Sequence, residues 1–298
     1  MIAGAFTGVR AFVAVFVAAL LLAGAPSSLR ADEPPPPPAG QAPSEAAPAA
    51  LPVFSLKETG QLALLDAKGI LLAPLHWDGE DWLKFGVGSA AVILTGVLLD
   101  DPIQEASQRS RTPGRDDFAT TVQRFGSSYS WAVLGGYAVY GLAGRDREAM
   151  NVAVDGVLAS LLATGIATPV LKFAVGRARP DADLGNHYFT PFANSDAAFP
   201  SGHTTQAFAV ASVIAAHDSH LWVKIVAYGI AGTVGLARIE QNEHWASDVL
   251  AGAILGTVIG NAVVILNERQ RRGAPGPKVT FSPLLAPRGG GLLLTATF

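Results

Sequence analysis

Six apolar segments dominate the chain, and we place them near residues 82–99, 129–144, 150–175, 203–217, 221–238 and 245–266. They are rich in alanine, glycine and valine, and apolar and polar residues do not alternate within them, which disfavours strands. Small residues let helices pack closely in lipid. We therefore predict an all-α fold, a helical bundle of about six core helices that is embedded in a membrane or associated with one.

The segments are weak membrane spans, so the number that cross a membrane stays open. The third carries Asp155, the fifth carries Lys224, and the fourth is barely long enough to span. Six full spans would place both chain ends in the cytoplasm, in keeping with the arginines that follow the second and last segments. A cleaved signal peptide would instead leave the mature N-terminus outside the cell.

The N-terminal region differs in composition from the rest of the chain. Residues 1–31 hold the apolar run from Ala11 to Ala25, which is typical of a signal peptide or an N-terminal anchor. Residues 32–52 are rich in proline and alanine and predict a disordered linker. We expect the helical domain to extend from 53 to 272.

Three further stretches of the chain lie outside the six segments. Residues 56–75 are amphipathic and predict a helix that lies across the bundle or on a membrane surface. Residues 100–128 hold four arginines beside several aspartates and predict a solvated loop or surface helix. The tail at 273–298 carries two short apolar runs around a glycine triplet, which makes it a candidate hairpin.

Composition narrows the class of protein. Half of the residues are hydrophobic, 15% are charged and the mean hydropathy is +0.33, which is more apolar than an ordinary soluble domain. The net charge of −3 offers no basic field, so we expect no nucleic-acid partner. The absence of cysteine excludes disulfides, thiolate catalysis and zinc sites built on cysteine.

The first cluster of candidate functional residues follows the third apolar segment and contains Lys172, Arg177 and Arg179. Lys172 and Arg179 are seven residues apart, so they would share one face of a continuous helix. Arginine can hold two phosphate oxygens with its planar fork. A positively charged helix end that complements the helix dipole is the simpler interpretation.

The second cluster is Pro200-Ser201-Gly202-His203, directly before the fourth segment. Proline and serine suit a helix start, and Gly202 lets a ligand approach the backbone. Free N–H groups at such a start bind anions. The alternative is a capping motif with an incidental histidine.

The third cluster runs from Arg238 to His244 and Asp248. His244 and Asp248 are four residues apart and would meet on one helix face. A carboxylate bonded to one ring nitrogen fixes the tautomer and raises the basicity of the other, which suits a nucleophile or a base. A surface or capping pair is the alternative.

Each cluster stands at the end of an apolar segment. The ends of the third and fifth segments and the starts of the fourth and sixth fall on one side of an up-down bundle. We therefore expect the three clusters to form one anion-handling site.

The three clusters resemble the signature of the type 2 phosphatidic acid phosphatase (PAP2) / vanadium haloperoxidase superfamily, and the apolar segments resemble its bacterial membrane-associated phosphatases. The signature reads Lys172-x6-Arg179-Pro180, then Pro200-Ser201-Gly202-His203, then Arg238-x5-His244-x3-Asp248. Ala237 departs from it, since the family usually has serine there.

The resemblance implies a PAP2-type bundle and a metal-independent phosphatase that works through a phosphohistidine. His244 would attack phosphorus, Asp248 would hold its ring, and His203 would protonate the leaving oxygen. Five residues would bind the phosphate group: Lys172, Arg179, Ser201, Gly202 and Arg238. The resemblance implies no cofactor and no metal.

We expect the substrate to be a phosphomonoester or pyrophosphate of a lipid, because a membrane bundle can admit an amphiphile from the side. We place the protein in the bacterial cell envelope, with the membrane as partner and the site facing the periplasm. A soluble periplasmic acid phosphatase, a vanadate-dependent haloperoxidase and a non-catalytic binder of phosphorylated lipid are the alternatives. The sequence leaves the oligomeric state and the individual substrate open.

Overall fold

The computed structural model describes residues 56–193, 197–272, 278–286 and 289–297. The expected signal peptide or anchor (1–31) and the expected linker (32–52) lie outside the described residues.

The described chain is mainly helical. In chain order its helices are α1 (Leu56–Leu72), α2 (Gly79–Leu98), α3 (Asp100–Arg109), α4 (Pro113–Val122), α5 (Ser128–Gly144), α6 (Arg147–Ser160), α7 (Thr168–Val175), α8 (Gly202–His217), α9 (Leu221–Glu240) and α10 (Ala246–Arg271). A π-helical segment, Leu161–Ala167, joins α6 to α7, and a 3-10 turn, Gln123–Gly126, precedes α5.

The six predicted segments correspond to α2, α5, the continuous run of α6 and α7, α8, α9 and α10. The prediction of an all-α bundle of about six core helices is confirmed. The amphipathic stretch forms α1, and residues 100–128 form α3, α4 and the 3-10 turn. In the tail, β1 (Lys278–Ala286) pairs antiparallel with β2 (Gly289–Thr297) as a hairpin.

Among the described residues, four helices are long and apolar enough to cross a membrane: Gly79–Leu98, Arg147–Val175, Leu221–Glu240 and Ala246–Arg271. The other two core helices are shorter, with 17 residues in α5 and 16 in α8. Most of α8 is buried, so it fills the middle of the bundle, where its neighbours surround it.

A row of glycines lets α10 approach α8 closely. Gly252, Gly256 and Gly260 follow one another at four-residue spacing, and a Cβ atom on any of them would lie between 2.4 and 2.7 Å from a backbone oxygen of α8 or of the residue before it. Small residues at such spacing allow two helix backbones to come near each other. The row therefore holds the start of α10 beside the start of α8.

Polar contacts around Asp155 connect helices at the end of the bundle where α8 and α10 finish. The buried Asp155 of α6 accepts hydrogen bonds from Asn267 at 2.7 Å and from Arg271 at 2.5 and 2.9 Å. Nε2 of His217 lies 2.8 Å from the same carboxylate. One carboxylate thus joins the middle of α6 to the ends of α8 and α10.

The first prediction concerns the glycine row. Gly256→Ala places a methyl group 2.4 Å from the backbone oxygen of Thr205, so the helices must separate. Overpacking of this kind typically costs about 1–3 kcal/mol. We expect a lower thermal unfolding midpoint in detergent. Gly229→Ala in α9, where no atom lies within 4 Å, is the matched control and should leave the midpoint unchanged or raise it. Equal midpoints for the two variants would contradict the close approach.

The second prediction concerns Asp66 of α1, which is fully buried and whose carboxylate oxygens have no hydrogen-bond partner within the part of the chain that the structure describes. Burial and the charge of Asp155 raise the pKa of Asp66 to about 8, against the opposing effects of Arg271 and Asn267. A carboxyl whose pKa is higher in the folded state than in the unfolded state stabilises the fold only while it is protonated, so stability should fall as the pH rises from about 4 to about 8.

Asp66→Asn removes this titration and should flatten the dependence of the thermal midpoint on pH. Above about pH 8 the variant should be more stable than the wild-type protein. The exposed Asp117→Asn is the control, and its profile should follow the wild type. An Asp66→Asn profile that runs parallel to the wild type would refute the assignment.

Candidate active site

A cavity of about 490 Å³ lies where α7 and α9 end and α8 and α10 begin. Its lining includes six of the residues that the sequence predicts for the site: Lys172, Arg179, Gly202, His203, Arg238 and His244. The structure thus places the ends of the third and fifth segments and the starts of the fourth and sixth on one side of the bundle, as expected.

Lys172 and Arg179 reach the cavity from different pieces of backbone. Helix α7 ends at Val175, because Gly176 adopts a left-handed conformation with φ of 61°. A Cβ atom on Gly176 would lie 2.0 Å from the backbone oxygen of Thr190, so only glycine fits there. The helix is therefore not continuous between Lys172 and Arg179, so they do not share a helix face, although both cations line the same cavity.

Two of the cavity's arginines share one carboxylate. Glu243 contacts Nη1 of Arg179 and lies 3.3 Å from Nη2 of Arg238. The third cation, Lys172, donates to the backbone oxygen of Ala197. The arginines thus already hold an oxyanion between them, which is the arrangement that a phosphate group requires.

His203 stands on the first turn of α8. The 3-10 turn before α5 packs directly on its backbone, and a Cβ atom on Gly126 would lie 2.4 Å from the His203 oxygen. Burial lowers the pKa of His203 to about 4, and the nearby charges of Arg238, His244, Arg179 and Lys172 add to the effect. The ring is therefore neutral near neutral pH.

His244 lies in the bend before α10, so it does not share a helix face with Asp248 as its spacing predicted, although its ring still lies beside that carboxylate. Its side chain is almost completely buried, and its Nδ1 is 3.9 Å from Oδ2 of Asp248. That oxygen also accepts a hydrogen bond from the backbone N–H of Trp245 at 2.9 Å. Burial lowers the pKa of His244, whereas the Asp248 carboxylate opposes this shift. The contact between Nδ1 and the carboxylate is an ion-pair contact and is longer than a hydrogen bond, and Nε2 is the ring nitrogen that remains for chemistry in the cavity.

The structure departs from the prediction at Ser201. This residue is fully buried, and its hydroxyl accepts a hydrogen bond from Thr204 Oγ1 at 2.9 Å. Its backbone N–H donates to the backbone oxygen of Asp248 at 3.0 Å. Ser201 therefore joins the start of α8 to the first turn of α10, whereas its neighbour Gly202 lines the cavity.

The expectation for residues 100–128 is wrong at Asp100, which is 1% exposed instead of solvated. Its carboxylate binds Arg177 at 2.7 Å, and Arg177 also binds Asp248 at 2.7 Å. Sequence reasoning assigned no site role to Asp100 or Arg177. The available signals were the position of Arg177 inside the first cluster and that of Asp100 directly after an apolar segment.

The site region is similar to known proteins. The sequence profile of the PAP2 superfamily matches residues 155–272. Phosphatidylglycerophosphatase B of Bacillus subtilis is 30% identical over 205 residues, which are 64% of this chain and 95% of that protein. A lipid A 1-phosphatase of Rhizobium johnstonii is 29% identical over 204 residues, or 63% of this chain and 80% of that protein.

A lipid A 1-phosphatase of Porphyromonas gingivalis is 31% identical over 188 residues. The match takes in 61% of this chain but spans only 38% of that protein's length.

The third prediction follows from the electrostatics of His203. Because the cations lower its pKa, a bound dianion should raise it again, and anion binding should take up a proton. Affinity for sulfate, which stays a dianion, should therefore rise as the pH falls from about 7 toward about 4. Calorimetry or competitive binding on the full chain measures this. In His203→Gln the sulfate affinity should depend less on pH, whereas in the exposed control His220→Gln it should depend on pH as in the wild type. A pH-independent affinity in the wild type would contradict the coupling.

Proposed function

The chain belongs to the PAP2 superfamily, and from this premise we propose that it is a phosphatase that removes the phosphate group from a membrane lipid. The observation that carries the proposal is the cavity, where three cations and two histidines meet at one end of an apolar bundle. Phosphoryl transfer depends above all on positioning and charge neutralisation, and these side chains can supply both.

The apolar surroundings of the cavity favour a lipid substrate. Trp131 and Leu161 line the cavity, and they are 45% and 49% exposed. These two apolar side chains lie between the charged residues of the cavity and the apolar outer surface of the bundle. The described part of that bundle has four helices long and apolar enough to cross a membrane. The relatives named above are phosphatases of lipid A and of phosphatidylglycerophosphate, in keeping with a phosphate group carried on a lipid.

In the first step, Nε2 of His244 attacks phosphorus and a P–N bond forms as the bond to the leaving oxygen breaks. Asp248 stabilises the positive charge that develops on the ring. His203 gives its proton to the leaving oxygen, so that an alcohol departs. The proton on His203 is the one taken up when the anion binds.

Four groups stabilise the negative charge of the phosphoryl group during its transfer: the side chains of Lys172, Arg179 and Arg238, and the backbone N–H of Gly202 at the start of α8. Substrate must displace Glu243 from the two arginines. In the second step His203 takes a proton from water, the water oxygen attacks phosphorus, and His244 leaves as a free ring. Inorganic phosphate is the product.

We propose that no metal ion takes part, because the charge that a metal would supply is already provided by one lysine and two arginines. We also propose that the cavity faces the periplasm. Positive residues at the opposite end of the bundle support this orientation: Arg145 after α5, Arg147 at the start of α6, Arg269 and Arg271 in the last turn of α10, and Arg272 directly after it.

The fourth prediction separates the two histidines. His244→Ala lacks the nucleophile, so activity should fall to background with every substrate and no phosphoenzyme should be trapped. His203→Ala lacks only the general acid, a loss of about 10²–10⁴-fold that shrinks when the leaving group is a weak base. The variant should therefore retain more activity toward an aryl phosphate than toward a lipid phosphate.

The assays use the full chain in detergent with EDTA present, and the matched control is His220→Ala, an exposed residue in the connection between α8 and α9. Activity that vanishes on chelation and returns with a divalent ion would overturn the metal-free mechanism. A labelled phosphoenzyme in His244→Ala would overturn the assignment of the nucleophile.

A further inference from the structure

A network of buried charges stands behind His244. Asp248 accepts a hydrogen bond from Arg177 on Oδ1 at 2.7 Å and one from the Trp245 N–H on Oδ2 at 2.9 Å. Oδ2 is also the oxygen that faces Nδ1 of His244, at 3.9 Å. The direction of the carboxylate is therefore fixed by two donors: Trp245, the residue directly before α10, and Arg177.

All five N–H groups of Arg177 are used within the protein. Nε and Nη2 donate to the backbone oxygen of Asn186 at 3.0 and 2.7 Å, and Nη1 donates to Ser247 Oγ at 2.7 Å besides Asp248. The second Nη2 bond goes to Asp100. The guanidinium is 4% exposed and does not line the cavity, so it has no donor for a substrate and acts through its partners.

Asp100 completes the network from the start of α3. Its Oδ2 accepts from Arg177 at 2.7 Å and from Ser247 Oγ at 2.6 Å, and its Oδ1 accepts from the Ser247 N–H at 2.8 Å. Every one of these partners donates, so the network fits the ionised carboxylate. Two carboxylates thus share one guanidinium, and the set of Asp100, Arg177 and Asp248 carries one net negative charge.

The electrostatic balance of the set is consistent with this sharing. Burial disfavours the charged form of Arg177, but Asp248 and Asp100 outweigh burial and raise the pKa of Arg177 above its ordinary value. Burial also raises the pKa of Asp100, and Arg177 is the first of the groups that oppose it.

We propose that Asp100 and Arg177 are positioning residues of the active site, which fix the Asp248 carboxylate behind His244 and divide the guanidinium charge so that Asp248 keeps negative charge toward the ring. An Arg177 paired with Asp248 alone would neutralise the carboxylate on which the nucleophile depends. Asp100 prevents this by holding the other edge of the guanidinium. The inference rests on the proposed function, because it concerns the same site.

The test is the pH dependence of kcat/KM toward an aryl phosphate, measured on the full chain in detergent for the wild type, Asp100→Asn and Arg177→Lys. The acid limb of this profile reports deprotonation of the nucleophile in the free enzyme. Asp116→Asn and Arg111→Lys are matched controls, because these residues form an exposed ion pair at 2.7 Å with the same two side-chain types. Both controls should behave as the wild type.

In Asp100→Asn the full guanidinium charge falls on Asp248, so the imidazolium form of His244 loses support. The acid limb should move to lower pH by about half a unit or more, and kcat should fall about tenfold or more with KM within about threefold. Arg177→Lys keeps the charge but loses the fork. Its acid limb should stay in place while kcat falls by about tenfold or more.

A merely structural role would lower activity by one factor at every pH, and an unshifted acid limb in Asp100→Asn would therefore overturn the inference. If Asp100→Asn does not fold, Arg177→Lys decides: a loss in kcat at constant KM supports the inference, and a wild-type kcat refutes it. If the wild type hydrolyses the aryl phosphate while the acid limb of Asp100→Asn is unshifted, this inference fails but the proposed function stands. A wild type that hydrolyses no phosphate ester removes the proposed function, and this inference with it.

Discussion

The close contact between α8 and α10 is the constraint on which the site depends. The backbones approach through Gly252, Gly256 and Gly260, and at the same seam the Ser201 N–H reaches the backbone oxygen of Asp248 at 3.0 Å. The first turns of both helices are therefore locked in register. His203 projects from the first turn of α8 and His244 lies two residues before α10, so the row of glycines sets the relative position of the two proposed reacting rings.

Charge is concentrated at the two ends of the bundle. One end holds the cavity and the set of Asp100, Arg177 and Asp248, and the other end holds Asp155 with Asn267 and Arg271. Buried ions are costly unless they are paired and hydrogen-bonded, and removing one partner commonly costs about 3–5 kcal/mol. The middle of the bundle is built on small-residue packing, whereas its ends are held by ionic contacts that also fix the termini of the helices.

The sequence predicted what depends on local pattern. The long apolar runs predicted the six core helices, and the three clusters predicted six residues that line the cavity. What it did not predict depends on contacts between distant parts of the chain. Asp100 binds Ser247 and Arg177, 147 and 77 residues away, and its immediate neighbours in the sequence resemble those of a solvated aspartate. The failure at Gly176 has a different cause, because spacing assumes a continuous helix that a left-handed glycine ends.

The same reasoning explains why Ser201 was assigned to the phosphate site. A serine before a helix start next to a cation cluster suggests an anion ligand, but the approach of α10 takes up its backbone N–H and buries its hydroxyl. The cations that remain around the cavity then have two effects. They attract a phosphate group, and they add to burial, the larger cause, in lowering the pKa of His203 to about 4. A bound phosphate group offsets the contribution of the cations, so the proposed general acid gains its proton with its substrate. Acid catalysis and phosphate binding are therefore two consequences of one arrangement of charges.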